Sequence, residues 1–290
     1  MRAFVLRQLL VFMAVVVGAA LLLGLLLDVL PNAPSSAETP SWLRPVSLLF
    51  GLFTGEFGTA VSQNAAVGSL IAERLVVTLP LALLALVTTK LLGLGLGLLA
   101  TRGRIADRLA SAVALVLEAV PPFWLGMVLL LGLALGLKLL PAGGFVPWSS
   151  PMGSLGSLLL PALALGLPHA AQTALAVRRD FARGAEAQAI ETRRARGETR
   201  QAAAWALGWT SVVQALPARL GREWVSILAG AAMVENVFYL PGLGRQILGA
   251  VAVHDLVLLR GSLFVMVVAG ASLVLVSNLS RLLVDRELRK

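Results

Sequence analysis

Cysteine is missing from all 290 residues, which removes disulfides, thiolate metal sites and cysteine nucleophiles from consideration. Charge is scarce as well. Only 13% of residues are Asp, Glu, Lys or Arg, where a soluble domain carries roughly a quarter. Lysine occurs at Lys90, Lys138 and Lys290 alone, and none of the three is preceded by glycine and followed by Ser or Thr. A phosphate-cradling P-loop is thereby excluded. The two histidines, His169 and His254, stand too far apart for a His-Glu-x-x-His zinc pattern, and no Gly-x-Ser-x-Gly occurs. No catalytic residue, metal site or cofactor is expected within this chain. Any ATP that powers it must be bound by another polypeptide.

What the chain has is hydrophobicity: 58% apolar residues and a mean hydropathy of +0.87. The net charge of +9, mostly arginine, raises a nucleic-acid reading. That reading fails, because the basic residues are separated by apolar runs long enough to cross a bilayer. The first run, Leu9–Leu27, follows Arg2 and Arg7 and ends at Asp28. It is longer than a signal-peptide core and has no convincing small-x-small cleavage site behind it, so it reads as an uncleaved anchor.

Further spans are expected at about Leu75–Ala100, about Leu109–Leu137, Leu158–Val177 and Gly261–Ser280. Between Arg200 and Leu240 the apolar stretch is interrupted by Arg219, Arg222 and Glu223, and a span there begins near Gln201 or near Val212. One helix in that interval makes the loops obey the positive-inside rule. With six spans and both termini cytoplasmic, sixteen Lys and Arg fall inside and five outside. The expected fold is an all-α membrane protein of six transmembrane helices in the bacterial cytoplasmic membrane. Residues 1–30 form the anchor, 31–74 an extracytoplasmic loop and 75–290 the core. Pro141–Ser157, rich in Pro, Gly and Ser, reads as loop.

Several stretches, in order, resemble the permeases of the peptide/nickel branch of ATP-driven importers. They are the basic start and anchor of Arg2–Leu30, Leu48–Gly58 (LLFGLFTGEFG) with Glu73–Leu75, Pro121–Gly126 (PPFWLG) and Leu160–Pro168 (LPALALGLP). Thr192–Gly197 (TRRARG), Glu235–Gly244 (ENVFYLPGLG) and Asp285–Arg289 (DRELR) complete the series. The resemblance implies an anchor helix plus a five-helix core, forming half of a two-permease pore. It implies a second permease subunit, two ATP-binding subunits and an extracytoplasmic solute-binding protein as partners, with peptides or a nickel complex as cargo. It assigns Glu191, Thr192, Arg193, Arg194, Ala195, Arg196 and Gly197 to a cytoplasmic loop, about residues 178–211, that docks on the ATPase. It also assigns Glu235, Pro241, Gly242 and Gly244 to an outer hairpin. The bland alternative for the arginines is simple anchoring of the cytoplasmic face.

The charges inside the spans need partners, because an isolated one costs several kcal/mol there. Lys90 and Glu118 each lie about fourteen residues from the turn at Gly103, so an antiparallel pair would set them at similar depth. They form a candidate ion pair, or else snorkel separately. Arg219, Arg222 and Glu223 share a helix face, and either line the solute path or sit at the cytoplasmic interface. His169, Phe123, Trp124, Gly93, Gly95 and Gly97 read first as packing residues. Pro80, Pro121–Pro122 and Pro241 are candidate helix breaks around the path. The competing class is a secondary transporter driven by an ion gradient, using Lys90, Glu118 and His169 as coupling groups. It calls for inverted repeats, and none is visible.

Overall fold

The computed structural model describes residues 2–26, 43–185 and 187–284, so the Asp285–Arg289 signature lies outside the described residues. Ten helices and one small hairpin occur among them. In chain order these are α1 (Arg2–Leu26), α2 (Arg44–Thr54), β1 (Thr59–Ala60), β2 (Ala65–Ala66), α3 (Val67–Ala100), α4 (Arg104–Ala119) and α5 (Pro122–Leu129). A π-helical continuation, Leu130–Gly136, extends α5 and is followed by α6 (Pro151–Gly184), α7 (Ala187–Arg194), α8 (Arg200–Val237), α9 (Leu243–Ala252) and α10 (Leu256–Val284). The strands pair antiparallel with Thr59 opposite Ala66.

Four helices, α1, α3, α6 and α10, are long and apolar enough to cross a membrane, and a fifth crossing results if α4 and α5 with its continuation count as one. The stretch expected to run as a single span from Leu109 to Leu137 is bent by 104° between Ala119 and Pro122. The cause is local. Pro122 and Pro121 lack backbone donors, and a proline disfavours helical backbone in the residue before it. Val120 is accordingly extended, with φ −91° and ψ 124°. Pro80, Pro161, Pro168 and Pro217, by contrast, sit inside continuous helices.

Other boundaries also move. Helix α3 begins at Val67, before the expected Leu75, and the loop assigned to 31–74 contains α2 and the hairpin. Helix α6 starts at Pro151, inside the segment read as loop. The ambiguous fifth span is one helix of 38 residues, about 57 Å long. It is not among the apolar candidates because Arg219, Arg222 and Glu223 interrupt it mid-helix.

The core forms where α6 packs along α3 and α8. The α3–α6 seam is tight because glycines remove side chains at the crossing. A Cβ on Gly93 would lie 2.8 Å from the Ala170 carbonyl oxygen, and one on Gly97 2.9 Å from that of Ala174. Gly166 answers from α6, where a Cβ would come 2.9 Å from the Ala85 carbonyl oxygen. Gly95 faces open space. Two of the three glycines singled out in the sequence therefore serve close approach. A second cluster joins α1, α2, the start of α3, α9 and α10 around Val16, Leu48, Ile71, Leu243, Leu258 and Phe264.

Candidate functional site

The charges of α6 and α8 meet around a cavity of about 730 Å³ bordered also by α4. Its walls carry Glu118, His169, Thr173, Asp180, Arg219, Arg222 and Glu223, with Arg178, Arg179 and Arg183 toward the C-terminal end of α6. Periodicity explains the convergence. Arg219, Arg222 and Glu223 are spaced three and four residues apart, so one face of α8 presents all three.

Lys90 does not pair with Glu118. Its ammonium contacts Glu223 on α8, and Glu223 also accepts a 2.9 Å hydrogen bond from the Thr173 hydroxyl. Depth was the wrong criterion, since a side chain's direction around the helix selects its partner, and α3 packs against α8 as well as α4. Glu118 instead faces the cavity from an exposed position at the end of α4. A second pair, Arg219 with Asp180, joins α8 to α6, and Arg183 stands 3.9 Å from the same carboxylate. Nearer the ends, Arg178 forks onto Asp107 at the start of α4 through Nε and through Nη2 at 2.8 Å. Three inter-helix ion pairs thus tie α3, α4, α6 and α8 together.

The remaining polar groups differ in kind. Arg222 is exposed on the cavity wall. His169 is only 8% exposed, and its Nδ1 has no hydrogen-bond partner. Phe123 and Trp124 lie about half exposed on α5, away from the buried core. Asp180 and Thr173 were missed in the sequence. Asp180 reads as one more loop charge until α6 is seen to continue to Gly184.

At the opposite end of α8, Glu235 is fully buried and organises the expected hairpin. Its Oε1 accepts from the Thr78 hydroxyl at 2.6 Å and its Oε2 from the Arg245 amide at 2.9 Å. Thr78 in turn accepts the Leu243 amide at 2.7 Å. A helix start leaves amides without intrahelical acceptors, and here two distant side chains supply them for α9. Gly242 must be glycine for this arrangement, since a Cβ there would fall 2.3 Å from Glu235 Oε1. Gly244 passes equally close, 2.5 Å from Ala232 Cα. Pro241 occupies the turn between α8 and α9.

The Glu191–Gly197 segment ends the short α7 and packs against α8. Arg194 pairs with Glu191 at 2.9 Å and Arg193 with Glu198 at 3.2 Å. Thr192, Ala195 and Arg196 are exposed, while Ile190 is buried. Gly197 has φ +92°, a left-handed conformation that suits glycine. Thr199 then caps α8 by accepting the Ala202 amide at 3.3 Å.

Long apolar helices around a charged cavity mark a multi-pass membrane protein. Residues 93–290 match the model of the family described as binding-protein-dependent transport system inner membrane component, and the chain belongs to that family. It is 28% identical over 286 residues, 91% of each chain, to a protein of Brucella abortus described as a peptide transport system permease. The dipeptide transport system permease protein DppB of Escherichia coli is 25% identical over 268 residues, covering 83% of this chain and 78% of DppB. DppB of Lactococcus lactis is 24% identical over 91% of this chain and 85% of its own length. These relatives are transport components rather than enzymes, and the chain is a permease of the importer class in the inner membrane.

Proposed function

We propose that this chain is one of two permease subunits in an ATP-driven importer that takes peptides from an extracytoplasmic binding protein. The observation carrying the proposal is the charged cavity inside the bundle, in a chain whose relatives bear peptide-permease names. Six spans cross the bilayer in this reading, with α8 as the sixth. On its charged face Glu223 is paired by Lys90 and Arg219 by Asp180, while Arg222 stays exposed to the cavity, which lets a helix of ordinary hydropathy lie at membrane depth. The arginine-rich ends of α4, α6 and α7 face the cytoplasm, and the Glu235–Gly244 hairpin faces outward.

The exposed α7 and the turn at Gly197 form the seat for an ATPase subunit. Arg194 and Arg196 supply exposed charge, and the contact of α7 with α8 passes movement of the ATPase into the cavity wall. Coupling of this kind requires ATP to favour one conformation of the assembly over the other. Mass spectrometry of the complex purified from mild detergent tests the proposal. P-loop ATPases and a second permease are expected to accompany the chain, and the ATPases to be lost on Arg194→Glu combined with Gly197→Val. Gradient-driven uptake by the chain alone, without ATP, would replace this reading by that of a secondary transporter.

A further inference from the structure

The charges on the cavity wall and behind it divide into two groups. Lys90 is held by Glu223, Arg219 by Asp180 and Arg178 by Asp107. Arg183 stands near Asp180, and Arg179 donates to the Leu175 carbonyl oxygen at 3.2 Å. Those five cations are engaged by the protein itself. Glu118 on α4 and Arg222 on α8 are different, for both are exposed to the cavity and neither has a partner among the described residues. Helix α6, which packs against both α4 and α8, carries His169 into the same space. Its Nδ1 is buried in the protein, on a residue only 8% exposed, so His169 contributes wall rather than a ligand.

Ionised groups among membrane helices are expensive and as a rule partnered. Nature retains an unpaired pair of opposite sign in such a place where something else completes it. Resting on the importer reading above, we infer that the cavity is a transient binding site for a zwitterionic solute. Arg222 takes the carboxylate and Glu118 takes the ammonium. A guanidinium fits a carboxylate with two parallel N–H bonds, and a glutamate accepts from an ammonium. A short unmodified peptide offers both charges at its two ends whatever its side chains are. The site therefore reads ends rather than sequence, and the permease adds its own selection for free termini. On this view Arg219 and Glu223 are positioning residues that hold the face of α8.

The absence of cysteine in this chain makes a direct test practical. Ser226 lies exposed on the cavity wall beside Arg222. In the purified assembled transporter, the thiol introduced by Ser226→Cys is reacted with a charged thiol reagent, and labelling of this chain is followed by mass. Dialanine is expected to slow labelling, whereas N-acetyl-dialanine and dialanine amide should need at least about tenfold higher concentration, as for the loss of a charge-assisted hydrogen bond. Arg222→Gln should erase the preference for dialanine over its amide and leave the preference over the acetyl form. Glu118→Gln should do the reverse. Both residues are exposed, so assembly measured by size-exclusion chromatography should be unchanged.

Equal protection by all three compounds, or preferences that survive both substitutions, would overturn the inference. So would an absence of protection by dialanine, the result expected if a second permease fills both charges. ATP-driven uptake of dialanine into proteoliposomes separates this from the broader reading. Uptake without protection removes the end-reading site alone; protection without uptake removes the peptide importer and leaves the site.

Discussion

Lys90 and Glu223 carry the clearest residue-level consequence. A buried pair adds little net stability over an apolar replacement, yet removing one partner strands the other and costs about 3–5 kcal/mol. Glu223→Gln is expected to lower the thermal midpoint of the detergent-purified chain sharply. The double variant Lys90→Met with Glu223→Met should recover most of that loss. Additive losses in the double variant would mean that the contact seen between the two side chains carries no energy. Asp255 behaves differently because it lies in the loop before α10. Burial pushes its carboxyl pKa up, but the Ser62 hydroxyl, the Ser62 amide and the Leu258 amide outweigh burial and hold it below the usual carboxylate range. The ionised form is thus the one the folded state favours. Its stabilisation is complete above the unfolded value, about 4, and disappears as pH falls through the lower folded value. Asp255→Ala should cost roughly 2 kcal/mol near neutrality, and the gap to wild type should close in thermal scans below about pH 4. A gap that stays constant with pH would rule out the charged carboxylate as its source.

At the scale of elements, the sequence announced the apolar runs of α1, α3, α6 and α10 because hydropathy integrates over many residues. It could not announce how those helices rotate. Glu118 was the candidate partner of Lys90, and only the packing of α3 against α8 brings Glu223 to it instead. Ser62 and Asp255 are 193 residues apart, so no local pattern joins them. The break at Pro121–Pro122 was legible as a candidate, but its 104° bend was not, since Pro168 and Pro217 are equally prolines and leave α6 and α8 continuous. The glycines of α3 make the same distinction testable. Gly97→Val should disrupt the seam, because even the Cβ falls 2.7 Å from Val177 Cβ, and overpacking of this kind costs about 1–3 kcal/mol. A Cβ on Gly95 meets nothing within 4 Å, so Gly95→Val should express and unfold like wild type. Equal behaviour of the two in detergent unfolding would show that α3 and α6 do not pack as described.

For the whole molecule the decisive question is which end faces which solution, since the docking seat and the solute entry must lie on opposite sides. The segment from Arg178 to Arg200 holds seven arginines, whereas Lys138, Arg245 and Arg260 are scattered singly along the other end. In the proposed orientation, charge retention during insertion keeps the dense side, with α7, in the cytoplasm and leaves the β1–β2 turn outside. The two ends also differ in how they are held together. Arg178–Asp107 ties α6 to α4 at the arginine-rich end, whereas Glu235 and Asp255 organise the other end through helix caps rather than through cations. A chain without cysteine reports its own topology cleanly. Gln63→Cys, in the exposed β1–β2 turn, should react with a membrane-impermeant thiol reagent added to intact cells. Ala195→Cys, exposed beyond α7, should react only after the membrane is opened. The reverse pattern would turn the cavity around, put the Gly197 turn out of reach of ATP, and leave the chain without a way to be driven by it.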